Sequence, residues 1–231
     1  MIRKLPKVGL AVAAMLLLIA ADDYKKFYVE FPVAERQYEA LPSPAEPELR
    51  NVANLAEATD RLWAEGFGPL GRISFDGPYE DEKPAIKFGR KLAAGLVAIQ
   101  SAKFTNNVTI GGAGPLTGFS ISRYDQSIGY FIAAKKTGSG LFVKAIEPEM
   151  ARELGVNRGV YVRSVRRGSP AYNADILPGD VVQLVGATGA YDVVSFISAI
   201  KAVYGQSPEI KIIRKGQPVT IVLTLSADGT W

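Results

Sequence analysis

The chain has 231 residues, a net charge of +4 and 48% hydrophobic residues, enough apolar surface for one or two globular domains. It contains no cysteine and no histidine. Disulfides, thiolate zinc sites, Cys-His nucleophiles and Ser-His-Asp triads are therefore excluded together, and we predict no catalytic residue, no metal and no cofactor.

The first residues have the pattern of an export signal, because Arg3, Lys4 and Lys7 precede an uncharged run from Val8 to Ala21. As a helix this run would reach only about 21 Å, against about 30 Å for a bilayer core. We predict that residues 1–21 are a cleaved signal peptide or, alternatively, a membrane anchor. The protein would then be exported to the periplasm or cell envelope. Without those cations the chain is nearly neutral, so charge does not indicate nucleic-acid binding.

Residues 22–47 combine aromatic side chains with a proline-rich end. The aromatics lie between Tyr24 and Phe31, and the prolines lie between Pro42 and Pro47. This composition predicts an extended arm or edge strand followed by a linker.

Residues 48–137 predict a small α/β domain. Strand, helix, strand with short joins favours a parallel pair bridged by a right-handed crossover. The predicted elements are a helix from Glu48 to Glu65 with Gly66 as C-cap, a strand from Leu70 to Phe75, a helix from Asp81 to Ala94, a strand from Leu96 to Ile99, and a hairpin or meander from Thr105 to Lys135.

Two motifs in this region resemble ligand sites superficially. Glu80, Asp81 and Glu82 form an acidic run, but acids at a helix start are favoured by the helix dipole without a metal. The glycine-rich stretch Gly112–Gly118 lies between predicted strands and lacks the strand-to-helix setting of a dinucleotide loop. We interpret the first as a helix start and the second as a hairpin turn.

The C-terminal part carries a series of family motifs. They are Gly159-Val-Tyr-Val-Arg-Ser-Val165, Gly168-Ser-Pro-Ala171 and Ile176-Leu-Pro-Gly-Asp-Val-Val182, followed by a helix over Asp192–Tyr204 and strands over Glu209–Arg214 and Val219–Leu225. In this order and spacing, the sequence from Gly140 to Leu225 resembles a PDZ domain of the HtrA/DegP type. The resemblance implies an α+β chain whose small α/β domain precedes a PDZ domain at residues 138–231. That domain would be a partly open β-barrel or sandwich with two helices, and the protease domain would be absent.

The resemblance also implies a peptide-binding groove. A PDZ ligand adds as a strand beside a helix, and consecutive backbone N–H groups receive its terminal carboxylate. We place that loop at Gly138–Leu141 and the receiving strand at Leu141–Lys144, with Tyr130–Ala133 as the alternative register. The implied peptide-binding residues are Gly138, Ser139, Gly140, Leu141, Phe142, Val143, Phe196, Ile197 and Ile200.

The leading functional hypothesis is a non-catalytic envelope protein that holds a partner or client by an extended, preferably C-terminal, peptide. One alternative is a self-assembling scaffold, in which the groove takes the arm Tyr24–Phe31 of the same chain or of another copy. Another alternative is a Ser-Lys protease. Residues 48–137, however, contain neither a nucleophile elbow nor an SxxK motif.

Overall fold

The structure is a computed structural model that describes residues 24–79, 81–110 and 119–231. The predicted export signal, Glu80 and the loop Gly112–Gly118 lie outside the described residues. In chain order the elements are α1 (Tyr24–Phe27), β1 (Tyr28–Glu30), a 3-10 helix (Val33–Glu35), β2 (Glu48–Val52), α2 (Leu55–Glu65), β3 (Phe67–Gly77), α3 (Glu82–Lys91), β4 (Leu96–Ile110), β5 (Phe119–Ala133), β6 (Leu141–Ala145), α4 (Pro148–Leu154), β7 (Val160–Val165), α5 (Pro170–Asn173), β8 (Val181–Val185), β9 (Thr188–Gly189), α6 (Val193–Ala202), β10 (Glu209–Arg214) and β11 (Gln217–Val222).

The first sheet has five strands in the order β1-β3-β5-β4-β2. The hairpin of β4 and β5 confirms the predicted hairpin between Thr105 and Lys135. The predicted parallel pairing of β3 with β4 is wrong, because β5 lies between them and is antiparallel to both. The parallel pair is instead β2 with β4. The connection from β3 through α3 to β4 therefore leaves one strand position open between them. Strand β5, which returns from the hairpin, fills that position.

The predicted helix over Glu48–Glu65 is also partly wrong. Its first five residues, Glu48–Val52, are a strand, and the helix begins at Leu55. The boundary lies at Asn54, whose side chain accepts hydrogen bonds from the N–H groups of Ala56 and Glu57. An asparagine N-cap in extended backbone stops the strand and starts the helix, although the apolar spacing runs through it.

Helices cover parts of both faces of the first sheet. On one face α3 buries Ala85 and Phe88 with Tyr24 of the arm. On the other face α2 buries Leu55 and Leu62. The arm residues Tyr28–Glu30 pair with β3 as an edge strand, as predicted, whereas Tyr24–Phe27 before them form a short helix instead of extended chain.

The second sheet runs in the order β11-β10-β8-β7-β6, with β9 attached to β8. Neither sheet is closed, which confirms a mixed α+β architecture. Two of the family motifs form a helix cap and a tight turn. The Ser169 side chain caps α5 by accepting from the Tyr172 N–H, and Gly179 has a φ of 97° in the turn before β8.

The described part of the chain contains no helix long and apolar enough to cross a membrane.

Candidate peptide-binding groove

The candidate site lies between β6 and α6. Strand β6 pairs with β7 on one side only, so its other edge faces α6. The helix is fixed at its start by a capping box between Asp192 and Ser195. A cavity of about 60 Å³ remains in this groove, lined by Arg36, Gln37, Tyr38, Glu39, Thr137, Gly138, Ser139, Leu141, Phe196, Ile197, Ile200, Lys201 and Tyr204.

The loop before β6 has the backbone geometry of an anion-binding turn. Gly138 and Gly140 have φ values of 74° and 79°, in the left-handed region. The Gly138 N–H donates to the Gly229 carbonyl at 2.7 Å, and the Leu141 N–H donates to Ser139 Oγ at 3.3 Å. Within the described part of the chain, the N–H groups of Ser139 and Gly140 donate to no other group. Two adjacent donors are thus available in the loop that borders the cavity.

The structure brings most of the predicted site residues together. Gly138, Ser139 and Leu141 from the loop face Phe196, Ile197 and Ile200 from α6 across the cavity. Phe196 and Ile200 are buried and also belong to the core of the second sheet. The helix therefore serves core and groove with one face.

Three predicted site residues do not line the cavity. Gly140 packs against Ser169. The Phe142 ring points away from the cavity and stacks on Trp63, with ring centroids 5.0 Å apart. The Val143 side chain is buried in the core of the second sheet, so only its backbone faces the groove. The alternative register at Tyr130–Ala133 lies inside β5, where both strand edges are paired, and it offers no open edge.

Sequence reasoning missed the arm residues that form the second wall of the groove. The Gln37 carboxamide makes two hydrogen bonds to Val143, from the Val143 N–H at 2.7 Å and to its carbonyl at 2.9 Å. Arg36 lies beside it in the cavity lining. No local pattern marks these residues, because their partners are about a hundred positions away in the sequence. The aromatic arm Tyr24–Phe31 does not fill the groove and instead packs on the first sheet.

Helix α2 contacts the loop Gly138–Leu141 and the strand β7 beside it. The Trp63 Nε1–H donates to the Gly140 carbonyl at 3.2 Å, and the Trp63 side chain is 2% exposed. Asp60 forms an ion pair with Arg163 of β7 at 2.9 Å, and its carbonyl accepts from Ser164 Oγ at 2.7 Å. The loop is therefore held by the first sheet's helix as well as by its own strand.

Arg166 connects the loop before β6 with the end of α2 and with the residues that follow β5. Its N–H donates to the Gly140 carbonyl, and its guanidinium donates to the carbonyls of Gly66, Ala134 and Lys135. Burial lowers the pKa of this guanidinium, because desolvation disfavours its charged form. A planar donor fork is suited to several carbonyls at once.

A larger cavity of about 450 Å³ lies on the other side of Phe142. It is bounded by the start of α2 at Asn54, by Arg72 of β3 and by Arg163 of β7. No group of three or more acidic side chains in the residues that the structure describes is placed to hold a metal ion.

The comparison with protein families bears on the region that builds the groove. The family model described as PDZ domain matches residues 135–225. This region is a PDZ domain. The match includes the loop Gly138–Leu141, strand β6 and helix α6, which build the groove described above.

Solved structures of the HtrA group are similar to parts of this chain at low identity. The PDZ domain of HtrA3 bound to the phage-derived ligand FGRWV is 21% identical, covering 38% of this chain and 84% of that one, with a TM-score of 0.35. The HtrA-type protease AlgW with a decapeptide is 21% identical, covering 69% of this chain and 49% of that one, with a TM-score of 0.34. The chain thus spans about half the length of AlgW.

Proposed function

We propose that this protein is a non-catalytic, exported protein that holds a partner or client by the free C-terminus of an extended peptide. The observation that carries the proposal is the cavity between the Gly138–Leu141 loop and α6. An apolar wall formed by Leu141, Phe196 and Ile200 there lies beside a loop with two available backbone N–H groups. That combination suits one apolar side chain next to a carboxylate.

Ser139 supplies a further polar group at the carboxylate end. Its side chain is buried, and its Oγ accepts from the Leu141 N–H. A ligand carboxylate is a stronger acceptor than a hydroxyl, so it would take over the Leu141 N–H and leave the Ser139 hydroxyl free to donate. A serine at this position is therefore compatible with carboxylate recognition. The cavity lining also carries the cations Arg36 and Lys201, and its one acid, Glu39, is paired with Lys135 at 3.2 Å.

The non-catalytic part of the proposal is supported by composition and by the state of this serine. The chain lacks histidine and cysteine. Ser139 Oγ is engaged by a backbone N–H of its own loop, whereas a nucleophilic serine is hydrogen-bonded to a base. Export is supported by the cationic start and short apolar run of residues 1–21.

The proposal predicts that recognition depends on a free carboxylate. We expect pentapeptides ending in Val, Leu, Ile or Phe, with FGRWV among them, to bind the full chain with dissociation constants of about 1 to 100 μM. C-terminally amidated versions lose the anion and are expected to bind at least about 10-fold more weakly. Fluorescence anisotropy with N-terminally labelled peptides measures both.

Equal affinity of free-acid and amidated peptides would contradict carboxylate recognition. Scrambled free-acid peptides that end in Asp or Lys are the control for the apolar side-chain pocket.

A further inference from the structure

Residues 33–39, hereafter the groove segment, lie between the first sheet and the PDZ groove. Hydrogen bonds fix both ends of the segment, one to β3 and the other to the residues just after β5. Before it, the Phe31 N–H donates to the Leu70 carbonyl at 2.9 Å; at its far end, the Lys135 N–H donates to the Glu39 carbonyl at 2.8 Å. Tyr38 Oη donates to the Pro69 carbonyl at 2.6 Å, and burial raises the pKa of Tyr38 to about 12, so it remains a donor.

The middle of the groove segment lies across the groove. Its 3-10 helix, Val33–Glu35, contacts α6, while Arg36, Gln37 and Tyr38 line the cavity opposite that helix. The fastened ends therefore hold this part of the chain over the open edge of β6.

Gln37 makes the backbone contacts of a ligand strand. In a strand pair, one residue exchanges an N–H and a C=O with its partner. The Gln37 carboxamide supplies one acceptor and one donor, and both are used on Val143. A side chain that copies a peptide group thus satisfies the edge that an added peptide strand would use.

The groove segment is an incomplete ligand. Its Glu39 carboxylate is paired with Lys135 at 3.2 Å, and the N–H groups of Ser139 and Gly140 remain available within the described residues. It leaves a cavity of about 60 Å³ beside Phe196 and Ile200. Arg36 Nε is buried and has no hydrogen-bond partner among the described residues. With the segment in the groove, one buried donor is therefore left without an acceptor.

We propose that the groove segment is the resident occupant of the PDZ groove, and that a peptide of more than about two residues binds by displacing Gln37 from Val143. This inference rests on the proposed function. The apparent affinity is then the intrinsic affinity reduced by the fraction of molecules in which the segment is released. A peptide with a free carboxylate can compete, because it fills the loop and the cavity that the segment leaves empty.

Substitution Gln37→Ala tests the inference in the full chain. It removes two hydrogen bonds from the occupied groove and none from a bound peptide, so we expect the affinity for the pentapeptides above to rise about 5- to 100-fold. Gln37→Glu, which loses the donor to the Val143 carbonyl, is expected to act in the same direction. Gln217→Ala, an exposed glutamine at the start of β11, is the matched control and should leave the affinity unchanged.

Hydrogen exchange at the Val143 amide tests occupancy without any peptide. We expect slow exchange in the wild-type protein and at least about 5-fold faster exchange in Gln37→Ala, with the amides of β7 unaffected. Equal exchange rates, or peptide affinities that are equal or lower in Gln37→Ala, would overturn the inference. If neither protein binds any peptide, the proposed function fails, and the Val143 exchange rate still decides whether the segment occupies the groove.

Discussion

Trp63→Ala is expected to lower the free energy of unfolding by about 3–5 kcal/mol, the usual cost of truncating a large buried aromatic side chain. Trp63 is 2% exposed and stacks on Phe142 of β6, and its Nε1–H donates to the Gly140 carbonyl. The substitution leaves a cavity between α2 and the PDZ domain and removes a donor from the loop. Urea denaturation followed by circular dichroism measures the change.

Trp63→Phe separates packing from the hydrogen bond. It keeps an aromatic ring against Phe142 and loses the donor to the Gly140 carbonyl, so we expect a cost of about 1–2 kcal/mol, well below that of alanine. A cost under about 1 kcal/mol for Trp63→Ala would show that α2 does not support the loop.

Gly140→Ala is the second substitution with a large expected effect, about 2–5 kcal/mol of lost stability. The residue has a φ of 79°, where a side chain costs about 1–2 kcal/mol. A Cβ at this position would also overlap the Ser169 side chain, which is fully buried. Overpacking of this kind adds about 1–3 kcal/mol.

Gly168→Ala is a matched control for backbone strain alone. Gly168 has a φ of 71°, and a Cβ there would meet nothing within 4 Å. We expect it to cost about 1–2 kcal/mol. If the two alanine variants were equally stable in urea denaturation, the tight packing of Gly140 against Ser169 would be contradicted.

The parts of the fold that follow from local chemistry could be predicted from sequence. Ser169 before a proline, Gly179 after one and Asp192 before an apolar helix each fix a cap or turn within a few residues. Because these signals recur in family order, the PDZ fold and its groove helix could be recognised. The lining positions on α6 follow from the same register.

Features that depend on distant parts of the chain could not be predicted. The position of β5 between β3 and β4 is decided by long-range strand pairing, and Asn54 overrides the helical spacing on its N-terminal side. Gln37 lies in a segment without periodicity, and its role depends on a strand about a hundred residues later. Phe142 belongs to the strand that borders the groove. Its ring nevertheless stacks on Trp63, a residue far away in the sequence, and not on the groove.

Peptide binding in the groove is tested most directly by titrating a free-acid pentapeptide into isotopically labelled full-length protein and following the amide resonances. The account predicts that the largest shifts occur at Ser139, Gly140 and Val143, together with α6 and Gln37. Shifts confined to the larger cavity beside Asn54 and Arg72, or no shifts at saturating peptide, would contradict it.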